Sequence, residues 1–477
     1  MYDGYNTSYS APIAYVASDV LSGVDMGTTA LNGPQDLYVG PDNQVYIVDT
    51  KNNRIVILND KLEYQSEIRE YIDTVTTKNE ETGVETTEEV VTQLNGPKGV
   101  FLGPDGLLYI CDTDNHQVVA INSEKKVVKK DIGKDIVAVN KKLEFKPEKI
   151  VVDSDLSIYV VDSNVYQGIL QYTSDLKFES FYSPNEVEVS AYVRMLNNWK
   201  NIFSDEMNEY MENTLPSPYN NIFINHEDFI YTTATGVPVG DELKCLNSLG
   251  RNILVTPQTM LGQVAYGDLE YSFKGTEGDT SEFVDIHADE NGVITAVDSK
   301  RCRIFQYDKE CNLICIFGGQ GKNKGLFETP VSIEKLGDKY LVLDATTNSV
   351  TVFEDTEYVR AVYEALDYYN QGLYEESVDL WQNVLSYNNH YATAYKSIGR
   401  AYLQQGRYEE AMEILEKGND QYFYSMALKE FRKQYTRENM WWMVIVIVAV
   451  LVLAVMGIKR LRFWLQSKPF PKKKKKG

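Results

Sequence analysis

The sequence predicts an all-β six-bladed propeller followed by a pair of helical repeats and one transmembrane helix. Three observations carry this reading. A β-unit returns six times before residue 355, a helical motif returns after 34 positions, and residues 440–458 form an apolar run without a charge.

Each β-unit runs in the same order: a short apolar strand, a turn of the Pro-Asp-Gly kind, a second strand, an Asp-Thr or Asp-Ser turn, and a third strand. The units cover residues 31–59, 94–122, 146–172, a weaker copy from 220 to about 244, then 281–308 and 329–354. Alternation such as Val45 and Ile47, or Leu108 and Ile110, has the period of two that strands require. The second strand is apolar on both faces, as in VYIVD and LLYICD, so it needs cover on both sides. Radial packing of neighbouring sheets supplies that cover, and a lone unit of this size does not. The last unit has only three strands before the helices begin. A fourth from residues 13–20, IAYVASDV, would close the ring and hide its edge. The propeller is therefore assigned to residues 13–355, after an extension over 1–12.

Asp49, Asp112, Asp162, Asp298 and Asp344 recur where the second strand turns into the third. An aspartate there accepts backbone N–H groups and shapes the turn, so equivalent copies read as structural turn residues. Two spacers, 63–92 and 256–279, interrupt the pattern, and a third, 183–218, has helical spacing of apolar residues. This insertion either packs on the rim or offers Trp199, Phe203 and Tyr210 to a partner.

Past residue 355 the pattern changes to helices. GLYEES at 372–377 recurs as GRYEEA at 406–411, each between two amphipathic helices. A 34-residue period of paired helices is the tetratricopeptide signature. Gly372, Tyr374, Trp381, Gly406 and Tyr408 are read as its packing residues, within a region of 356–437.

A helix over 440–458 would span about 28 Å, close to the hydrocarbon thickness of a bilayer. Nine Lys or Arg and no acid follow from residue 459, the start of a basic tail over 459–477. Basic flanks stay on the cytoplasmic side, which puts the propeller outside the cell in a single-pass cell-membrane protein, with the lipid bilayer as a partner. Export needs a signal that the first residues do not contain, so the expectation is that a native signal peptide is missing from this chain. The formal net charge of -22 excludes broad nucleic-acid binding. Five cysteines without zinc spacing read as mostly free thiols, and four dispersed histidines form no metal cluster.

The β-units resemble NHL repeats. The resemblance rests on the Gly-Pro start, the Pro-Asp-Gly turn, and a second turn in which Asn53 with Arg54, then His116 with Gln117, hold the usual Asn and Arg places. In the fourth unit Thr232 and Thr233 stand where the Asp is expected. The order of propeller, tetratricopeptide pair and membrane helix is similar to membrane-anchored bacterial proteins found mainly in Firmicutes, labelled gluconolactonase-like or NHL-repeat proteins. Some continue into a Yip1-like membrane domain. The resemblance implies an association with carbohydrate ABC transport but no assigned chemistry; the rigid repeat scaffold, the helical insertion, the two helical repeats and the anchor are read as an extracellular binding or scaffold module for a glycan, a peptide, a transporter subunit or another cell-envelope component, with no cofactor. The alternative that the fold implies is a lactonase-like hydrolase, with calcium held by acidic and amide side chains at the channel mouth. No such set of residues is aligned here, and an enzyme is the less favoured reading.

Overall fold

The computed structural model describes residues 1–78, 85–133, 144–185, 217–254, 258–259, 262–263, 265–270 and 280–467. Strand β1 (Tyr15–Ser22) is followed by a first sheet of β2 (Asp36–Val39), β3 (Val45–Asp49), β4 (Arg54–Leu58) and β5 (Tyr64–Ile68). Next comes a two-stranded hairpin, β6 (Glu70–Lys78) with β7 (Glu85–Gln93). The second sheet is β8 (Gly99–Leu102), β9 (Leu108–Asp112), β10 (Gln117–Ile121) and β11 (Val127–Ile132). The third is β12 (Pro147–Val152), β13 (Ile158–Asp162), β14 (Ile169–Tyr172) and β15 (Phe178–Tyr182). The fourth has three described strands, β16 (Tyr219–Ile224), β17 (Ile230–Ala234) and β18 (Leu243–Leu246). A small pair, β19 (Gln258–Thr259) and β20 (Gly262–Gln263), precedes the fifth sheet of β21 (Phe283–Ala288), β22 (Ile294–Asp298), β23 (Arg303–Tyr307) and β24 (Leu313–Gly318). The sixth is β25 (Pro330–Leu336), β26 (Lys339–Asp344) and β27 (Ser349–Asp355).

All six sheets are antiparallel meanders, and their first strands form a closed circle. β2 neighbours β8, β8 neighbours β12, and the order continues through β16, β21 and β25 back to β2. β1 completes the sixth blade by pairing antiparallel with β27 from Tyr15↔Asp355 to Ser22↔Ser349, across a bulge between Ala17 and Asp19. The architecture is a six-bladed β-propeller closed by its N-terminal strand. Its core lies between blades. Leu37, Ile47 and Val56 of blade 1 meet Leu341, Leu343 and Val350 of blade 6, and Tyr46, Val48 and Ile55 meet Val100, Ile110 and Val119 of blade 2. This is why the second strands carry no polar face.

The recurring aspartates tie each blade to its own lead-in. Asp49 accepts the Asn32 N–H at 2.7 Å, Asp112 that of Asn95 at 2.8 Å and Asp298 that of Glu282 at 3.1 Å. Asp162 accepts the Lys146 N–H, and Asp344 accepts four, from Glu328, Thr329, Thr346 and Thr347. The buried Arg54 guanidinium reaches Asp49 at 2.7 Å and Glu67 at 2.9 Å. In blade 2, Gln117 and Asp112 are instead bridged by the Tyr71 hydroxyl. After three of these turns a left-handed residue reaches the neighbouring blade. Asn53 Oδ1 accepts the Gly96 N–H at 2.9 Å, Asn348 Oδ1 accepts that of Gly33 at 2.6 Å, and His116 Nδ1 donates to the Phe145 carbonyl at 3.0 Å.

Two sequence expectations change. Residues 63–92 are no plain spacer: they hold the fourth strand of blade 1 and the β6–β7 hairpin, rich in Thr and Glu and exposed over residues 87–91, which gives no apolar alternation. In blade 4 the place of the turn aspartate falls on Ala234, which pairs with Tyr219, while Thr232 and Thr233 are buried within the strand. The helical insertion, with Trp199, Phe203 and Tyr210, lies outside the described residues, as does the tail from 468. The five cysteines are free and buried.

Helix α1 (Glu357–Asn370) follows β27, and its Tyr363 hydroxyl donates to Gln306 at 2.9 Å within the propeller wall. Thr356 donates its hydroxyl to the Ile13 and Ala14 carbonyls, at 2.8 and 3.0 Å. The helical unit continues with α2 (Tyr374–Tyr387), α3 (Ala392–Gln404), α4 (Tyr408–Lys417) and α5 (Gln421–Ser467). Gly372 and Gly406 adopt φ of +80° and +76° at the two turns between paired helices, a conformation that L side chains resist. Tyr374 packs edge-on against Tyr369, Tyr408 opens α4, and Trp381 is fully buried beside Tyr391. Gly399 lets α3 and α4 approach, since a Cβ there would lie 2.5 Å from Leu415 Cγ. α5 is one continuous helix of 47 residues, and its apolar part, including Trp441 and Leu453, is exposed all round. It is long and apolar enough to cross a membrane.

Replacing Asp344 by Ala removes a buried carboxylate that accepts four part-buried backbone N–H groups. Loss of roughly 1–3 kcal/mol of propeller stability is expected in chemical denaturation of the full chain; an unchanged midpoint would contradict the turn role.

Candidate functional site

The site grows out of the register of the six first strands. In each blade one residue pairs with the position just before the second-to-third strand turn: Asp36 with Val48, Gly99 with Cys111, Lys149 with Val161, Asn221 with Thr233, Asp285 with Val297 and Ser332 with Leu343. Alternation then puts Tyr38, Phe101, Val151, Phe223, His287 and Glu334, two residues further on, on the same face. The intervening Leu37, Val100 and Ile286 belong to the apolar layers between blades, so the two sets form successive circles facing the central channel.

The first circle is polar and binds blade to blade. Lys149 of blade 3 pairs with Asp36 of blade 1, and Asp36 also accepts the Val100 N–H of blade 2 at 3.3 Å. Between them stands Gly99, where a Cβ would come within 2.4 Å of the Glu148 carbonyl oxygen. Asn221 of blade 4 donates to Asp285 of blade 5, whose other oxygen accepts the Ile333 N–H of blade 6 at 2.6 Å. Ser332 exchanges hydrogen bonds with the backbone of Leu37 at 3.2 Å, which returns the circuit to blade 1.

The second circle is largely aromatic. Tyr38 and Phe101 rings lie 5.2 Å apart, Phe223 and His287 rings 4.8 Å apart, and His287 Nδ1 is 2.8 Å from Glu334 Oε2. Together the circles line a cavity of about 670 Å³, which extends to the turns between first and second strands of blades 1 to 4. That size suits a small organic ligand.

Burial governs the charges here. It pushes the Asp285 carboxyl up to about 7, with Lys149 opposing and the Asp36 and Glu334 carboxylates adding to the rise. Burial also raises Glu334, against the pull of His287. For Lys149 burial works against the charge, yet the Asp36 and Asp285 carboxylates outweigh it and hold the ammonium protonated. Buried ionisable groups facing a cavity are costly to stability and are characteristic of binding or reacting sites.

The turn aspartates Asp49, Asp112, Asp162, Asp298 and Asp344 line none of this cavity, which is reached at the opposite ends of the second strands. The channel residues were missed because each repeat carries a different one at the equivalent place. Aligning the units on the turn aspartate would have exposed them as the polar position in an otherwise apolar strand. Calcium does not fit this set. Asp36, Asp285 and Glu334 are each committed to different partners, and among the described residues no group of three His, Cys, Asp or Glu is placed to hold a metal.

Residues 31–58 and 94–121 match the NHL repeat family, and residues 365–418 match the tetratricopeptide repeat family. The protein is thus a six-bladed β-propeller with NHL repeats, followed by tetratricopeptide-like helices and one long apolar helix. The chain matches none of the curated proteins. Among solved structures it is similar to virginiamycin B lyase from Staphylococcus aureus, at 12% identity over 72% of this chain and 100% of that one, with a TM-score of 0.39. A gluconolactonase-like protein matches at 10% identity over 73% and 94% of the two chains (TM-score 0.37). The PQQ-bound aldose sugar dehydrogenase of Streptomyces coelicolor matches at 12% over 72% and 98% (TM-score 0.37). At such identities the likenesses say nothing of substrate or reaction.

An acid whose folded pKa lies near 7 stabilises the fold most when protonated, so this contribution is present at low pH and lost as pH rises from about 4 through about 7. Asp285→Asn removes that dependence. In denaturant titrations at about pH 5 and pH 8, the variant's stability should fall less between the two than the wild type's; equal slopes would place Asp285 in a solvated setting.

Proposed function

We propose that this protein is a membrane-anchored binding module that captures a small, hydroxyl-rich ligand of saccharide type in the propeller channel. The observation that carries the reading is the channel cavity itself, with Tyr38, Phe101 and Phe223 presenting aromatic surface beside the Asn221 amide and buried carboxylates. Aromatic faces pack against the C–H face of a sugar ring while amide and carboxylate oxygens satisfy its hydroxyls. The apolar stretch of α5 supports anchoring, and the basic residues after it support a propeller on the outer side of the cell membrane. In that place a transporter subunit or envelope component is the natural receiver of the ligand.

A hydrolytic second reading rests on the His287–Glu334 pair, 2.8 Å apart beside Asp285, which is acid–base equipment in a cavity. Both readings are tested together with the full chain in detergent against a panel of soluble oligosaccharides and sugar lactones. Binding without turnover is expected, weakened about tenfold or more by Tyr38→Ala or Phe223→Ala. Turnover lost in His287→Ala would favour the hydrolase, and no binding to any member of the panel would overturn the proposal.

A further inference from the structure

In the two circles three positions carry carboxylates, Asp36, Asp285 and Glu334, and one an ammonium, Lys149; the outer lining of the cavity adds Asp228, which accepts from Ser154, and Lys335. The remaining channel-facing positions do not restore the balance. Blade 2 contributes Gly99 and Phe101, blade 4 Asn221 and Phe223, and blade 5 adds His287, already turned to Glu334. The next lysine, Lys335, is spent on Asp289 at 2.9 Å and lies over the Tyr340 ring. Lys149 is bonded to Asp36 and acts on Asp285 and Glu334 only through space, so their ionised forms carry more charge than this one shared ammonium offsets. The walls beside them are the aromatic rings of Tyr38, Phe101 and Phe223, whose π-faces attract cations. A neutral polyol would leave that excess charge buried and unanswered, whereas a protonated nitrogen answers the charge and the aromatic wall at once.

We infer that the ligand of the channel is an amine-bearing polyol, the chemistry of an amino sugar, with its protonated nitrogen received by Glu334 and Asp285 inside the aromatic wall. This rests on the binding reading above and assigns its ligand class. The cavity supplies what such a ligand needs: room for a small molecule, aromatic surface, an amide for hydroxyls, and carboxylates in excess.

The test uses the full chain in detergent with two matched probes, N-methylglucamine, which is cationic, and sorbitol, its neutral counterpart. At about pH 8, titration calorimetry should show the amine binding at least about tenfold more tightly than sorbitol. Glu334→Gln and Asp285→Asn should each reduce that preference by about tenfold, the amine losing more affinity than sorbitol. The wild type offers a check that needs no variant: lowering the pH to about 5.5 protonates Asp285, whose carboxyl burial raises to about 7, and should weaken the amine more than sorbitol. Equal affinity for both probes, or a preference that survives both substitutions and the pH change, overturns the amine assignment while the binding reading stands. Binding of neither probe, when a panel oligosaccharide binds, also overturns it. If nothing binds, the parent reading falls with it.

Discussion

The circuit of polar contacts at the innermost strands is the constraint on which the rest of this propeller depends. A radial array has no single core, so each blade is held only by its two neighbours, and one open joint would expose two apolar faces. The first circle meets that need at the narrowest radius. Asp36, Lys149, Asn221, Asp285 and Ser332 each bond to another blade, and Gly99 lets the backbone at Glu148 and Lys149 of blade 3 approach blade 2. Further out, the turn residues Asn53, His116 and Asn348 stitch neighbouring lead-ins. At the rim, β1 closes the sixth blade on β27.

Much of this was legible in the sequence because it repeats. Asp-Thr turns, apolar second strands and the missing last strand all recur or leave a gap at a fixed place, and six sheets with an N-terminal closing strand follow from them. The helical pair was legible for the same reason, through GLYEES and GRYEEA. What does not repeat was hidden. Asp, Gly, Lys, Asn, Asp and Ser occupy one equivalent place in six blades, and their partners lie far away in the chain, as with Asp36 and Lys149. The β6–β7 hairpin was hidden too, because its Thr- and Glu-rich sequence carries no hydrophobic period.

Function and stability meet at the same residues. Burying carboxylates and an ammonium near the axis is costly, and the joints between blades offset that cost through hydrogen bonds from the Val100 and Ile333 N–H groups, with the Ile286 N–H adding one within blade 5. The second circle has no such duty: apart from the His287–Glu334 pair its members are aromatic or aliphatic, and they shape a cavity instead of a joint. A scaffold made rigid by the first circle holds the second in place, which is the condition for a preformed binding surface.

The central claim is that closure makes the six blades one cooperative body. It is tested most directly by placing proline at both Val20 and Leu21, adjacent positions of β1 of which one must donate to β27. Differential scanning calorimetry of the full chain should then show the propeller transition moving to lower temperature as a single unit. A propeller transition unmoved by the double substitution would contradict the account.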